Sequence, residues 1–155
     1  MTQITEDYCS FETAKLLKDK GFSEWCFKCY GVAVLHNGAD ISFDEECELK
    51  DEGRENEIEY VEGGRLYDYG CNNSDKDANV WAAPTLWVAM KWLREREWFV
   101  CIIPLAFYCG EKAAKFGSNI WAGDNLEVDE DNTPAFDTYE EACEAAIKYC
   151  LENLI

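Results

Sequence analysis

Histidine is nearly absent from this chain, and its scarcity restricts the kinds of catalytic site that are possible. His36 is the single histidine among 155 residues. A serine or cysteine nucleophile that relies on a histidine base could therefore exist only near that position. Because His36 precedes Asn37-Gly38, a strong signal for a hairpin turn, we expect its ring to be solvated. Histidine-assisted nucleophilic catalysis is thus disfavoured.

Long apolar runs and basic residues are also scarce. The longest apolar run, residues 98–109, is interrupted by Pro104 and is shorter than the roughly 18 residues of a membrane helix. The first residues show no secretory signal, so we predict a cytoplasmic protein. Lys and Arg number 14 against 32 acids, a formal net charge of −18. Since phosphates would repel such a chain, we predict neither direct nucleic-acid binding nor membrane binding.

The negative charge is concentrated in two segments of the sequence. Residues 40–62 hold 11 acids against two bases, and residues 124–144 hold nine acids and no base. Elsewhere acids and bases are equal in number. A basic protein partner would be attracted to the acidic segments. We place its binding site at Glu55, Glu57 and Glu59, which would lie on one side of a strand at intervals of roughly 6.6 Å.

Two interpretations of this acidity remain open. The carboxylates could imitate a nucleic acid and occupy the DNA- or RNA-binding site of the partner, because duplex DNA carries about one charge per 1.7 Å of its axis. Alternatively, the acids could serve only solubility. A spread of acids over every face of the structure would favour the second interpretation.

Tryptophan is abundant, with six residues in the chain. Four of them belong to the second predicted helix or its edges, and two of these, Trp87 and Trp92, lie off its apolar stripe. Core packing explains such residues, but tryptophan is also enriched at interface hot spots. We therefore include Trp87 and Trp92 in the candidate surface for a partner or for a homo-oligomer.

The nine cysteines predict buried thiols more strongly than a metal site. Cys26 and Cys29 form a C-x-x-C pair, yet a structural zinc site usually needs a second pair of ligands at short spacing. Cys143 and Cys150 lie seven residues apart on the apolar face of the last predicted helix. No glycine pattern that cradles a phosphate is present. The sequence therefore predicts no catalytic residue, metal site or cofactor.

Hydrophobic periodicity and capping residues predict three helices, at residues 11–20, at residues 84–97 and from Tyr139 to the C-terminus. A hairpin at Asn37-Gly38 would pair Val34 with Ile41 and Val32 with Phe43, and a second hairpin would turn at residues 62–65. Residues 98–103 predict a buried strand, with residues 118–122 as its partner. Strands grouped in hairpins indicate the α+β class.

We accordingly predict an antiparallel sheet built from hairpins with about three helices packed against it. The length suits a single domain over residues 1–155, with an acidic insert at about residues 44–80. A sheet and helices of this kind could also enclose an aromatic-lined pocket. A small enzyme or ligand-binding domain is therefore the alternative to an interaction protein, and a structural homo-oligomer is a third.

Two stretches of the second half of the chain carry a resemblance. They are Ala83-Pro-Thr-Leu-Trp-Val-Ala-Met-Lys-Trp-Leu-Arg-Glu95 and Asp137-Thr-Tyr-Glu-Glu-Ala-Cys-Glu-Ala-Ala-Ile147. With these the chain resembles a set of small uncharacterised bacterial and prophage proteins, although the acidic residues 40–62 are not part of that pattern. The resemblance implies an accessory protein of a phage or mobile element, and it implies no activity and no catalytic residues.

Overall fold

The computed structural model describes residues 7–105, 115–130 and 134–155. They group into two compact units. The first unit is Ser10–Pro84. The second unit is the described part of Thr85–Ile155 together with the few described residues before Ser10. Each unit contains a three-stranded antiparallel sheet and two α-helices. The predicted α+β class is confirmed, with two sheets in place of one and four described helices in place of about three. One domain for the whole chain stays a prediction.

The first unit is built around a central strand with a partner on each side. Its elements are α1 (Phe11–Asp19), β1 (Cys29–Leu35), α2 (Phe43–Asp51), a 3₁₀ turn (Glu55–Glu57), β2 (Ile58–Tyr67) and β3 (Val80–Ala82). The strand order is β2-β1-β3, and both pairings are antiparallel. As predicted, α1 ends at Gly21, which has a φ of 91°, and Phe22 N–H then donates to the Leu17 carbonyl.

The turn that follows β1 forms in a different register from the predicted one. Three residues make the turn rather than two, and the last of them, Gly38, has a left-handed φ of 84°. Val34 consequently pairs with Asp40, and the predicted pairing with Ile41 is wrong. A shift of one residue turns every side chain to the opposite face of a strand, so the predicted apolar ladder does not form.

The predicted pair Val32–Phe43 is also wrong, because the chain enters α2 at this point. The Ser42 hydroxyl accepts a hydrogen bond from the Glu45 amide, and the Glu45 carboxylate accepts one from the Ser42 amide. This reciprocal capping box satisfies two backbone donors at the start of a helix. It overrides the strand preference of the apolar residues around it.

β2 is one strand where the sequence predicted a hairpin. Both ends of β2 pair along β1, whereas residues 61–64 bulge outward opposite the single residue Val32. β1 is long enough to pair with both ends of β2, so the chain does not reverse between them. Gly63 and Gly64 therefore lie in a bulge rather than in a hairpin turn. Residues 44–80, interpreted above as an acidic insert, thus contribute a helix and a sheet strand to this unit.

The second unit places two helices on a three-stranded sheet. Its elements are α3 (Leu86–Arg94), β4 (Trp98–Pro104), β5 (Phe116–Ala122), β6 (Asn125–Val128) and α4 (Tyr139–Tyr149), and α4 continues into a π-helical turn (Cys150–Leu154). The strand order is β4-β5-β6, and α3 and α4 pack against the sheet. None of the described helices has the length and hydrophobicity that crossing a bilayer requires.

Two predictions about the second unit need correction. α3 begins at Leu86 rather than at Pro84, because the Thr85 hydroxyl accepts a hydrogen bond from the Val88 amide and forms the N-cap. β4 is not a buried strand, since Phe99 and Cys101 are exposed. An apolar run of this length has the same sequence pattern whether one face or both faces are covered. By contrast, the predicted Thr138 cap of α4 is confirmed.

We expect the substitution Gly64→Ala to destabilise the first unit. A β-carbon at this position would overlap the ring of Phe11. That ring packs edge-on against Trp81, with 5.1 Å between centroids, and lies 5.4 Å from the ring of Tyr30, so it cannot withdraw without loss of these contacts. The free energy of unfolding should fall by about 1–3 kcal/mol in urea denaturation.

Gly63→Ala, in the same bulge, is the matched control, because its β-carbon would meet no atom within 4 Å. This variant should differ from the wild type by less than about 0.5 kcal/mol. Equal losses in the two variants would contradict the explanation, since they would show that backbone freedom in the bulge, and not the Phe11 contact, determines the cost.

Candidate functional site

The outward side of α2 carries a row of exposed carboxylates, which we call the acidic face. At about 100° per residue, its members lie within an arc of about 120° around the helix axis. The acidic face consists of Asp44, Glu45, Glu48, Asp51 and the C-cap residue Glu52. Glu45 caps the helix and Glu52 pairs with Arg54, whereas the other three make no ion pair with any described residue. Local structure therefore leaves three carboxylates available for a partner.

Glu46, on the opposite side of α2, holds the helix in this orientation. It is 1% exposed, and its Oε1 accepts hydrogen bonds from Lys50 Nζ (2.7 Å) and from the Tyr60 hydroxyl (2.8 Å). The hydrogen bond with Glu46, and then the one with Tyr60, raises the pKa of Lys50 above its usual value. Leu49 packs next to this group against buried residues of the sheet. These contacts keep the acidic face outward.

The structure separates the three glutamates that the sequence grouped together. Glu55 and Glu57 belong to the 3₁₀ turn, and only Glu59 lies in β2, so the expected row along one strand does not exist. Glu57 pairs with Arg54, which lowers the pKa of Glu57, and Glu59 pairs with His36. The sequence analysis did not identify the acidic face of α2, because it placed Phe43 in a hairpin strand and residues 44–80 in an acidic insert.

The two candidate tryptophans differ in exposure. Trp87 is 65% exposed on α3, whereas Trp92 is only 2% exposed and therefore has no surface to offer a partner. Arg96 covers the ring of Trp92, with its guanidinium carbon 3.7 Å from the ring centroid. Core packing accounts for Trp92. A role of Trp87 in partner binding or self-association stays a prediction.

His36 lies at the surface between two hydrogen-bond acceptors. Its Nδ1 is 2.7 Å from a carboxylate oxygen of Glu59, and its Nε2 is 2.6 Å from the backbone oxygen of Asn56. Only the imidazolium form can donate from both nitrogens at once. The hydrogen bond to Glu59, followed by the one to Asn56, raises the pKa of His36. The ring ties the turn after β1 to the start of β2.

Two cysteines of the first unit face one another, and we call Cys29 and Cys71 the thiol pair. The interaction with Cys71 lowers the pKa of Cys29; burial opposes this shift, and Tyr69 adds to it. The same contact raises the pKa of Cys71. Cys26, the other member of the C-x-x-C motif, directs its thiol to the Glu24 carbonyl at 3.7 Å.

The remaining thiols fit a packing role with one exception. Cys143 and Cys150 are buried as predicted, while Cys101 is exposed and Cys109 lies outside the described residues. Burial raises the pKa of Cys143 to about 11 and that of Cys150 to about 12, so both remain protonated at neutral pH. Within the described ranges, no three side chains of His, Cys, Asp or Glu are grouped to hold a metal ion.

The second unit contains an apolar cavity of about 320 Å³ between its sheet and α4. The walls come from β5, β6, α4 and the chain before α4. The lining residues are Ser118, Ile120, Val128, Pro134, Phe136, Ala145, Ala146, Lys148, Tyr149 and Glu152. Lys148 and Glu152 are 3.9 Å apart. The volume reaches the lower end of the range of small-molecule sites.

Comparison of the chain with protein-family models, with curated proteins and with solved structures gave no match. The resemblance to small prophage proteins is accordingly neither supported nor refuted.

We expect His36 to titrate above its usual pKa of about 6.5, because Glu59 and Asn56 favour the protonated ring. A folded-state pKa that is raised contributes stability below the unfolded value, and this contribution is lost as the pH rises through the folded value. Since the chain has one histidine, a single ring resonance in a proton NMR titration reports the midpoint. Glu59→Gln should lower that midpoint toward the usual value.

Glu62→Gln is the control for this titration, because it removes one carboxylate from the same strand without altering a His36 contact. The midpoint should stay close to that of the wild type. An equal decrease in both variants would show that the net charge of the strand, rather than the Glu59 hydrogen bond, raises the pKa.

Proposed function

We propose that the protein is a non-enzymatic interaction protein that binds a basic surface of a protein partner through the acidic face of α2. The supporting observation is that Asp44, Glu48 and Asp51 are exposed on the same side of α2 and form no ion pair with any described residue. An accessory protein of a phage or mobile element, acting in the cytoplasm on a host protein, would fit the resemblance described above.

The carboxylates in the middle and at the end of the acidic face do not stabilise the helix. Glu48 lies four residues from Asp44 and three from Asp51, and like charges at these spacings destabilise a helix by about 0.2–0.5 kcal/mol per pair. Asp51 and Glu52 also lie at the negative end of the helix dipole. Glu48 and Asp51 oppose the stability of their own helix, and an external contact explains them better than folding does. Lysine or arginine of a partner would relieve the repulsion.

The charge density is comparable to that of a nucleic acid. Five carboxylates over residues 44–52 correspond to about one charge per 2.7 Å of helix axis at 1.5 Å per residue. DNA carries about one charge per 1.7 Å for the duplex and per 3.4 Å for each strand. The acidic face therefore supports a partner whose basic surface normally binds phosphates, and the proposed interaction would occupy that surface.

Neutralisation of the acidic face should weaken partner binding without loss of stability. In the variant Asp44→Asn/Glu48→Gln/Asp51→Asn we expect retention of a basic partner from bacterial lysate to fall roughly 5- to 30-fold, since three exposed ion pairs contribute about 1–2 kcal/mol together. Retention is measured by quantitative mass spectrometry at low and high salt. The affinity of each recovered partner is then measured directly with purified protein.

The variant Asp19→Asn/Glu24→Gln/Asp68→Asn has the same net charge and alters exposed acids of the same unit outside α2. It should retain the partner as the wild type does. Equal weakening in both variants would indicate a general effect of net charge. Unchanged binding of the acidic-face variant would refute the proposal.

As a second function, we propose that the cavity beside α4 binds a small apolar molecule. This proposal is supported by the largely apolar lining of the cavity, in which Tyr149 and the Lys148–Glu152 pair are polar groups. Sites of this composition, with a few polar groups among apolar walls, are typical of small-molecule binding. Because Lys148 and Glu152 pair with each other, we propose binding rather than catalysis.

Ala145→Phe should fill this cavity and abolish saturable binding of anilinonaphthalene sulfonate, an anionic aromatic probe whose fluorescence rises in apolar sites. Glu140→Phe adds the same ring to an exposed position of α4 that does not line the cavity, and it should leave probe binding unchanged. Saturable binding that survives in the Ala145 variant would assign the probe to another surface and exclude this cavity as its site.

A further inference from the structure

The cavity beside α4 has an exposed rim and a buried wall. Pro134, Tyr149 and Glu152 are exposed and form the rim. Four other lining residues are buried and form the wall. They are Ser118, Ile120, Val128 and Ala146. A ligand that enters past the rim places its inner end against this wall, so the chemistry of the wall decides which group that end can carry.

Strand geometry sets the position of Ser118 on the wall. Side chains alternate along β5, so Ser118 and Ile120 point to one side of the sheet and Asn119 points to the other. Ser118 and Ile120 both line the cavity together with Ala146 of α4, which identifies their side as the one that the helix covers. Regular pairing of Ser118 with Ile102 of β4 holds the backbone of this position in place.

The Ser118 side chain is 6% exposed, and its hydroxyl forms no hydrogen bond with any described residue. The adjacent Asn119 differs, because its Oδ1 accepts a hydrogen bond from the Glu130 amide at 2.7 Å. Every fully enclosed side-chain nitrogen or oxygen of the described residues has a partner, so the Ser118 oxygen must open to the cavity that it lines. A buried hydroxyl without a partner is unfavourable, and a bound molecule that supplies one removes this cost.

Water is a poor partner for Ser118 at this depth. A buried water molecule is typically held by about two to four polar groups. Among the described residues of the wall, only Ser118 has a polar side chain, since Ile120, Val128 and Ala146 are apolar. A ligand whose apolar body covers the wall and whose polar group meets Ser118 satisfies both kinds of surface at once.

The volume and the charged lining residues limit the ligand further. The cavity of about 320 Å³ is roughly twice as large as an apolar cavity of about 150 Å³ that holds one benzene ring, so it suits a body of two rings. The polar group at the inner end should be neutral, because an unpaired charge is strongly unfavourable in a buried site. Lys148, the one cationic residue of the lining, pairs with Glu152 of the rim.

We infer, on the basis of the binding function proposed for this cavity, that its ligand is a neutral alcohol or phenol with a body of about two rings, and that Ser118 recognises the ligand hydroxyl. The two hydroxyls match each other because each can both donate and accept a hydrogen bond. The apolar wall contributes affinity through burial of the rings, and Ser118 contributes selectivity for a molecule that carries the hydroxyl.

The test compares 1-naphthol with naphthalene, which lacks the hydroxyl, in equilibrium dialysis against the full chain. We expect the wild type to bind 1-naphthol more tightly, and Ser118→Ala to reduce this preference by about 3- to 10-fold, the value of one neutral hydrogen bond. Ser74→Ala, which alters an exposed serine outside the cavity, should leave the preference unchanged. In urea, Ser118→Ala should unfold at the same concentration as the wild type or a higher one, because its hydroxyl has no internal hydrogen bond to lose.

Ala145→Phe separates the ligand class from the cavity itself. Loss of both probes in this variant, together with an equal preference in the wild type and in Ser118→Ala, would overturn the role of Ser118 and leave the binding function intact. If neither probe binds the wild type, or if both bind Ala145→Phe as they bind the wild type, the binding function fails as well. A lower urea midpoint for Ser118→Ala would also count against the role of Ser118, because it would show that the hydroxyl is bonded within the chain.

Discussion

The hydrogen-bonding requirement of β1 is the constraint on which the first unit depends. A central strand needs partners for its amides and carbonyls on both edges, and β1 receives them from segments distant in sequence. β3 covers only three of its residues, whereas β2 covers both of its ends and bulges between them. The pairing also sets Tyr60 opposite Ala33, where the Tyr60 hydroxyl donates to Glu46 of α2 and so helps to orient the acidic face.

Local sequence signals predicted those parts of the fold that are determined locally. The capped start of α4 at Thr138, the left-handed end of α1 at Gly21 and the pairing of β4 with β5 are all confirmed. The predictions failed where one local signal competed with another. Ser42 and Glu45 match the sequence pattern of a capping box, which starts a helix. Ile41 and Phe43, on either side of Ser42, instead favour a strand, and the sequence analysis placed both in the second strand of the hairpin.

The contact between Cys29 and Cys71 was harder to predict than the acidic face, because it depends on long-range pairing. Tyr67, Tyr69 and Cys71 pack against the cluster that contains Cys29, and only the pairing of β1 with β2 brings these distant parts of the sequence together. In the sequence, Cys71 has no cysteine or histidine neighbour at short spacing. The acidic face could be predicted from the sequence alone, since Asp44, Glu48 and Asp51 have helical spacing and the Ser42 cap marks the start of the helix.

The bulge in β2 also bears on association between copies of the chain. β2 forms one edge of its sheet, and an exposed edge strand is a template onto which another strand can add. Residues 61–64 depart from the straight path that such an addition needs, and Glu59, Glu62 and Arg65 place exposed charges along the same edge. An irregular, charged margin of this kind resists the sheet extension that leads to aggregation.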